Sequence, residues 1–303
     1  MIKYFTIIGN CQARSLSEFL LSNTDFTNIY EYIQINDIFR MNEEELNGLY
    51  INVLPKLDLI IIQPISENYR NNYKYSTKSI LQNVNKNCKK IMFPSLYFDY
   101  YHPFLCYIYD KEDPSWKLGD PYDYHDKNII NLYVNNYDNY NNHDLLNYIL
   151  IEYKKTLLNE NLLDDNYFSN KLHKNIENLL EREEKYVNYC TNDTLIIKSS
   201  SYILNNYKKN LLFYTINHPS KYLFYFISDK ILSSLNISLI EYPENIDPLK
   251  ALIIPVYKCV QKHVDFNIDY YLNFRHYHII LEDNDTIQKY IDAYKKVNIE
   301  LLK

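Results

Sequence analysis

Short runs of apolar residues, each stopped by polar or turn-forming residues, recur along the chain and predict buried β-strands. The clearest runs are Lys3–Ile8, Leu57–Gln63, Lys90–Phe93 and Leu211–Thr215. Other segments have apolar residues three and four positions apart, which predicts amphipathic helices at Gln12–Leu21, Tyr75–Val84, His143–Leu157, Ser169–Tyr189 and Ser220–Leu235. Because buried strands that alternate with such helices are typical of α/β proteins, the pattern predicts a central, mostly parallel sheet flanked by helices.

The middle of the chain departs from this alternation. Residues from about 110 to 190 read as mostly helical, after a start rich in Tyr, Asn and Asp. We therefore expect a single α/β domain over residues 1–303, in which residues 110–190 form a helical insertion or subdomain. The tail from Asn284 to Lys303 predicts a closing surface helix.

Composition and charge exclude several classes of protein. The formal net charge of −6 argues against a nucleic-acid-binding protein, which usually has a basic face. No apolar run approaches the roughly 18 residues of a membrane span, and the first residues do not form a signal peptide. The five cysteines include no C-x-x-C pair, so we expect neither a disulfide framework nor a metal site in a cytoplasmic protein. For a viral protein this compartment would be the host cytoplasm.

Candidate chemistry begins where the first predicted strand ends, at Gly9-Asn10-Cys11-Gln12. Gly9 allows a sharp turn there, and a helix that starts near Gln12 directs backbone N–H groups and the positive end of its dipole at the Cys11 sulfur. Both effects of the helix favour the reactive thiolate, so we predict that Cys11 is a nucleophile. The backbone N–H groups of Cys11 and Gln12, with Asn10 or Gln63 as a side-chain donor, are candidates to stabilise an oxyanion or to position the substrate.

A second strand-to-helix junction supplies a candidate base. His218 lies in Asn217-His218-Pro219-Ser220, between a predicted strand and a predicted helix. The N-terminus of a helix disfavours a charged imidazole, which leaves the ring able to accept a proton near neutral pH. If both strands are parallel, Cys11 and His218 lie at the same edge of the sheet. We predict that they form a catalytic pair.

Six motifs in order resemble the WcbI-like family of polysaccharide-biosynthesis acetyltransferases, over about residues 4–240. They are Gly9-Asn10-Cys11-Gln12, Gln63-Pro64-Ile65, Phe93-Pro94-Ser95-Leu96-Tyr97-Phe98 through Tyr101-His102-Pro103, Asp123-Tyr124-His125, Arg182-Glu183 and Asn217-His218-Pro219-Ser220. The resemblance implies a fold similar to the SGNH hydrolases, with Cys11 in the place of their serine, and it implies binding of coenzyme A. The hydrolase pattern also has an aspartate a few residues before the histidine, where this chain has Thr215 and Asn217.

Coenzyme A and a sugar require further binding residues. Phosphate groups need cations, for which Arg14, Arg70 and Lys221 at the predicted sheet edge are the candidates. Tyrosines, aspartates and a histidine together suit stacking on a sugar and hydrogen bonding to its hydroxyl groups. On this basis the candidate substrate-binding residues are Tyr101, His102, Tyr124 and His125. His276 and His278 have no further ligands nearby in sequence, so no metal is expected there.

Together these observations predict a coenzyme A-dependent acetyltransferase that moves an acetyl group from acetyl-CoA to an amine or a hydroxyl group of a nucleotide sugar or glycan. In one version Cys11 carries the acetyl group as a thioester. In the other, His218 activates the acceptor directly while Cys11 polarises or positions it. The alternatives are a thiol esterase or deacetylase that acts on acetylated glycans, and a glycan-binding module that has lost its chemistry.

Overall fold

A computed structural model of the chain describes residues 2–113, 116–276 and 279–303. The α-helices of these residues are α1 (Cys11–Leu21), α2 (Thr24–Thr27), α3 (Glu43–Gly48), α4 (Thr77–Gln82), α5 (Lys127–Asn136), α6 (Asn142–Leu157), α7 (Asp165–Lys185), α8 (Ser200–Asn206), α9 (Lys221–Ser234) and α10 (Asp283–Tyr294). The strands are β1 (Lys3–Ile8), β2 (Tyr30–Tyr32), β3 (Leu59–Ile62), β4 (Lys89–Met92), β5 (Leu105–Cys106), β6 (His125–Asp126), β7 (Thr194–Ile196), β8 (Leu252–Ile253), β9 (Arg275–His276) and β10 (Ile279–Ile280).

The chain divides into two compact units, each assembled from separate segments. Unit 1 comprises Met1–Tyr97, Lys174–Tyr207 and His218–Leu249. Unit 2 comprises Phe98–His173, Lys208–Asn217 and Lys250–Lys303. That residues 1–303 form a single domain stays a prediction.

Unit 1 is built on a five-stranded sheet in the order β2-β1-β3-β4-β7. Each neighbouring pair of strands is parallel. Apolar residues of β1, β3 and β4 lie next to each other in register, for example Ile7, Ile61 and Ile91. The structure therefore confirms the predicted α/β fold with a central parallel sheet flanked by helices.

Both faces of this sheet are covered, which explains why β3 is apolar throughout and why β1 and β4 end in consecutive buried residues rather than alternating. On one face Ile8, Ile60 and Ile62 join a buried cluster with the leucines of α3, of the following π-helical turn and of α4. On the other face the Phe5 ring packs edge-on against Phe26, with centroids 4.8 Å apart. The sequence pattern of β3, four consecutive buried residues, follows from this double burial.

One predicted strand is wrong. Leu211–Thr215 is fully buried, but it forms no strand of the sheet. Isolated hydrogen bonds pair part of its backbone instead of a strand ladder. The Ile254 N–H donates to the carbonyl of Tyr214, and just after the run the Phe98 N–H donates to the carbonyl of Ile216. The apolar run reflects burial rather than a strand ladder.

Unit 2 combines helices with two small antiparallel sheets, β5-β6 and β10-β9-β8. Helix α6 packs against α5 and α10, and all three bury aromatic or aliphatic side chains. Among these, Tyr290 and Tyr294 of α10 pack against the His125 ring. Helices α5, α6 and α7 account for most of the region from 110 to 190, and the tail from Asn284 lies largely in α10.

In the part of the chain that the structure describes, every helix is too short or too polar to cross a bilayer.

Candidate functional site

The order of strands in unit 1 creates a topological switch point between β1 and β3. The chain leaves β1 toward β2 on one side and returns to β3 on the other side. In doubly wound sheets of this order, ligands bind in the crevice outside the carboxyl ends of those two strands. Gly9, Asn10 and Cys11 follow β1, and Gln63 follows β3, so they lie at the switch point.

Cys11 is the first residue of α1, one position earlier than the sequence pattern predicts. Asn10 caps the helix, because its side-chain oxygen accepts the Gln12 N–H over 2.9 Å. The side-chain nitrogen of Asn10, Nδ2, has no hydrogen-bond partner in the described parts of the chain. The backbone N–H groups of Cys11 and Gln12 lie against the sulfur and favour its charged form.

Burial opposes the effect of these N–H groups on the pKa of the Cys11 thiol. Cys11 is half-buried, and the loss of solvent is the largest effect on its thiol, raising its pKa above the ordinary value. The charge of Asp37 raises the pKa further, while the charge of Arg14 lowers it. The N–H groups of the helix favour the thiolate, but burial outweighs them, so a base must remove the thiol proton.

Two buried glutamines tie together the loops that follow β1, β3 and β4. The Gln63 side chain accepts the Asn10 N–H (2.9 Å) and donates to Gln12 Oε1 (2.9 Å) and to the carbonyl of Pro94 (3.4 Å). Gln12 in turn accepts the Leu96 N–H (3.0 Å) and donates to the Leu96 carbonyl (2.8 Å). Because these amides are engaged with protein partners, their role is to hold the loops rather than to meet an oxyanion.

The close approach of the Gln63 side chain explains why residue 9 is a glycine. A Cβ added at Gly9 would overlap the Gln63 Oε1 atom and stand 2.9 Å from Gln63 Cδ and 3.0 Å from the Ala13 Cβ. Gly9 does not have a positive φ angle. The glycine is needed for space at the end of β1, which corrects the expectation that it serves a sharp turn.

Helices α1 and α9 pack side by side in unit 1. The Phe19 ring of α1 stacks on the Phe224 ring of α9, with centroids 5.1 Å apart. Asn23, just beyond the C-terminus of α1, donates to the carbonyl of Ser238 beyond the C-terminus of α9 (2.8 Å). These contacts join the C-terminal part of α1 to the first turn of α9 and to the segment that follows α9. His218, half-buried, lies three residues before the start of α9.

The three predicted cofactor cations differ in their surroundings. Arg14 is exposed and forms no ion pair within 4.0 Å in the described residues. The Lys221 amine lies 5.9 Å from the centre of the Tyr222 ring. The Arg70 guanidinium donates to the carbonyls of Met41 (2.9 Å) and Phe39, so it holds a loop in place. Of the three, Arg70 has the least free hydrogen-bonding capacity for a phosphate.

The four predicted sugar-binding residues are all buried in unit 2. The ring nitrogens of His125 contact the Tyr294 hydroxyl (3.3 Å) and the Leu118 carbonyl (3.1 Å). His102 Nε2 lies 3.4 Å from the Phe213 carbonyl, and burial lowers the pKa of His102 to about 4. The Tyr101 hydroxyl donates to the Asn210 carbonyl (3.2 Å), and that of Tyr124 donates to the Asn217 side chain. Their burial corrects the prediction, because core side chains present no surface for stacking on a sugar.

The structure also identifies residues to which the sequence patterns gave no role. Asp37 follows β2, its side chain is only 7% exposed, and its charge acts on Cys11. Glu183 accepts the backbone N–H groups of Ser199 (2.6 Å) and Ser200 (2.9 Å) at the start of α8. The Arg182-Glu183 motif was visible in the sequence without a role, whereas nothing in the sequence near Asp37 marked it.

Metal binding finds no support in the described residues, where no cluster of three or more His, Cys, Asp or Glu side chains could hold an ion. His276 lies in β9 with an exposed side chain, and His278 lies outside the described residues.

These features define an α/β protein with a doubly wound parallel sheet, whose switch point holds a half-buried cysteine at a helix N-terminus. Residues 4–239 match the model of the family described as "Polysaccharide biosynthesis enzyme WcbI". The chain belongs to this family of enzymes. The resemblance seen in the six motifs is thereby confirmed, since the matched segment coincides with the one over which they occur.

A solved structure of WcbI has the same fold. It is described as a novel polysaccharide biosynthesis enzyme, in its native form without a disulfide bond between coenzyme A and one of its cysteines. The two chains share 21% sequence identity and superpose with a TM-score of 0.79, covering 100% of this chain and 92% of the other. A comparison with curated proteins gave no significant match.

Proposed function

We propose that the protein is a coenzyme A-dependent acetyltransferase that acetylates a sugar, either a nucleotide sugar or a glycan, with Cys11 as nucleophile and His218 as base. The observation that carries the proposal is the position of Cys11. It is the first residue of α1, at the switch point between β1 and β3, with backbone N–H groups against its sulfur. The description of a WcbI structure in terms of coenzyme A and a cysteine supports coenzyme A as the acyl carrier.

The raised pKa of Cys11 defines what His218 must do. At neutral pH the Cys11 thiol is protonated, so the reaction needs a base at the same end of unit 1. His218 is our candidate because it is a half-buried residue of unit 1, three residues before α9, and α9 packs against α1. The neutral imidazole takes the thiol proton as the sulfur attacks.

In the first half of the reaction, Cys11 S–H transfers its proton to His218 and its sulfur forms a bond to the acetyl carbonyl carbon. Acetyl-CoA supplies the acetyl group as a thioester, and the coenzyme leaves as a thiol when its C–S bond breaks and it takes the proton from His218. The side-chain nitrogen of Asn10 (Nδ2) and the backbone N–H of Cys11 are the donors for the carbonyl oxygen as it becomes negative. The product is S-acetyl-Cys11.

In the second half, His218 accepts a proton from the amine or hydroxyl of the sugar as that group attacks the thioester. The bond between the Cys11 sulfur and the acetyl carbon breaks, and His218 returns the proton to the sulfur. Each residue is restored to its starting state. Half-burial of Cys11 limits the access of water, which favours transfer over hydrolysis.

The test is intact-protein and peptide mass spectrometry after incubation with acetyl-CoA alone. We expect one acetyl group per chain, on the peptide that contains Cys11, and none in Cys11→Ala. In His218→Gln the acetyl group should accumulate at least about tenfold more slowly at pH 7, because general-base catalysis contributes at least that much. Cys190→Ser is the matched control, since Cys190 is also a half-buried cysteine of unit 1 and precedes β7, an edge strand that does not border the switch point.

A second arm separates transfer from its rivals. With a panel of nucleotide-linked amino sugars, the proposal requires an acetylated sugar that depends on Cys11. Release of acetate from acetylated sugars without an acceptor would indicate a hydrolase instead. Full transfer by Cys11→Ala would show that His218 activates the acceptor directly, and binding of sugar without turnover in any variant would indicate a binding module.

A further inference from the structure

Arg182 is a half-buried cation on α7, in the part of the helix that belongs to unit 1. Its guanidinium carbon lies 5.3 Å from the centre of the Tyr97 ring, a distance typical of a cation–π interaction. Within the described residues no carboxylate comes within 4.0 Å of it, and it makes no hydrogen bond there. An arginine held on an aromatic face, with its N–H groups uncommitted, has the geometry that binds phosphate in a bidentate manner.

The neighbouring carboxylate does not neutralise Arg182. Glu183 is buried, and its two carboxylate oxygens accept from both Ser199 and Ser200, through backbone N–H and hydroxyl groups. These four hydrogen bonds fix the end of α7 against the start of α8. The adjacent acid therefore positions Arg182 without pairing with it.

The Arg182–Tyr97 pair belongs to the carboxyl edge of the sheet. Tyr97 follows Leu96, whose backbone is bonded to the Gln12 side chain, and Gln12 is the residue after Cys11. On the α7 side, the Tyr186 hydroxyl hydrogen-bonds the backbone of Ser95 in the same loop. The loop after β4 thus connects the nucleophile to the cation through direct contacts within unit 1.

We propose that Arg182, supported by the Tyr97 ring, binds a phosphate group of a nucleotide ligand of this site. The inference rests on the proposed function, in which both coenzyme A and a nucleotide sugar carry a diphosphate. Arg14 is one helical turn from Cys11, about 5 Å along the axis, which suits the acyl end of a ligand. The diphosphate of coenzyme A is separated from its thiol by the whole pantetheine arm, so it needs a cation other than Arg14, and Arg182 is our candidate.

The experiment is isothermal titration of the purified protein with coenzyme A, with pantetheine and with UDP. Arg182→Gln should weaken binding of a phosphate-bearing ligand by about tenfold to a hundredfold, the usual effect of losing a charge-assisted bidentate contact. Pantetheine has no phosphate, and its affinity should stay the same. Arg182→Lys keeps the charge but loses the planar fork, so its affinity should lie between those of wild type and Arg182→Gln.

Lys185→Gln is the matched control. Lys185 is an exposed cation on the same helix, three residues further on, and pairs with Glu181 at 3.9 Å. Tyr97→Leu removes the aromatic support and keeps an apolar side chain, so it should weaken phosphate binding several-fold. A thermal melt of each variant establishes that it is folded.

The outcomes separate the two proposals. A selective loss of coenzyme A affinity in Arg182→Gln assigns the phosphate to the cofactor, and a selective loss of UDP affinity assigns it to the acceptor; either supports the subsite. Unchanged affinity for both ligands in Arg182→Gln overturns the subsite and leaves the proposed function intact. If the wild-type protein binds neither ligand, both proposals are wrong.

Discussion

The side-chain amides of Gln12 and Gln63 are bonded to each other, with Gln63 Nε2 donating to Gln12 Oε1 over 2.9 Å. Gln12 is 1% exposed and Gln63 is 3% exposed, so this hydrogen bond is sealed from water. Each amide also holds backbone groups of another loop. The pair therefore controls where Asn10 and Cys11 lie relative to the loop after β4.

Removing one amide should be costly because it leaves buried groups of the other loops unpaired. Gln63→Leu leaves the Asn10 N–H unpaired and removes one of the two donors to the Gln12 oxygen, and we expect a loss of about 2 to 4 kcal/mol in the free energy of unfolding. Urea denaturation measures this loss. The double variant with Gln12→Leu should be less destabilised than the sum of the single variants, and strict additivity would contradict the coupling.

Gly9 should not tolerate even a methyl group. In Gly9→Ala the new Cβ would overlap Gln63 Oε1, so the amide must move and its bond with the Asn10 N–H is lost. We expect a loss of about 1 to 3 kcal/mol in stability and a marked loss of Cys11 reactivity. Gly48→Ala is the control, because an added Cβ there meets nothing within 4 Å and should be neutral or stabilising. Equal effects of the two substitutions would refute the explanation for Gly9.

The reactivity of Cys11 should respond in opposite directions to its two charged neighbours. Asp37 raises the pKa of the Cys11 thiol and Arg14 lowers it. Asp37→Asn should therefore increase the thiolate fraction and the rate of alkylation by iodoacetamide at pH 7.5, roughly two- to tenfold, whereas Arg14→Gln should reduce the rate. Quantifying the Cys11 peptide as a function of pH measures both changes. Asp25→Asn, an exposed acid of α2, should leave the rate unchanged.

Asp126 should make the stability of unit 2 depend on pH. Burial raises the pKa of Asp126 from 3.8 to about 6, although hydrogen bonds from Tyr257 and from the N–H of Asn128 oppose the shift. A pKa that is higher in the folded state means that folding is favoured below the unfolded-state value, and that this contribution is lost as the pH rises from about 4 to 6. The difference between the two pKa values corresponds to about 3 kcal/mol in the free energy of unfolding.

Asp126→Asn removes that titration while keeping an oxygen for the Asn128 N–H. Urea unfolding of both proteins between pH 4 and pH 7 should show the variant gaining on the wild type by up to about 3 kcal/mol as the pH rises. Parallel pH profiles would show that Asp126 does not titrate in this range. Burial also lowers the pKa of His102, which acts in the opposite direction, and it contributes equally to both proteins.

Short apolar runs were enough to predict the three central strands of unit 1, β1, β3 and β4. β1 has the predicted bounds, Lys3–Ile8, and β3 and β4 fall within two residues of theirs, because strands covered on both faces contain consecutive apolar residues. The edge strands β2 and β7 were not predicted, since each has three residues and at least one exposed side chain. Such strands depend on their neighbours rather than on their own sequence.

The candidate site was predictable where local sequence determines geometry. Asn10 and Cys11 are at the junction of β1 and α1 because the strand pattern, the capping residue and the helix pattern are adjacent in the chain. The bond between Gln12 and Gln63 joins residues 51 positions apart, and no local pattern marks it. His125 was misread because an aromatic and acidic neighbourhood looks the same in a sugar site and in a buried polar core.

The sheet of unit 1 is completed late during synthesis. β4 pairs with β7 across residues Lys90 and Thr194, and about a hundred residues of unit 2 and α7 are translated in between. At 5 to 20 residues per second, the outer edge of β4 waits about 5 to 20 s for its partner. During that interval the nascent chain exposes an unpaired strand edge, which can pair with another nascent chain and lead to aggregation. Slowing elongation between those two strands should therefore lower the yield of native protein, even though no residue of the mature enzyme has changed.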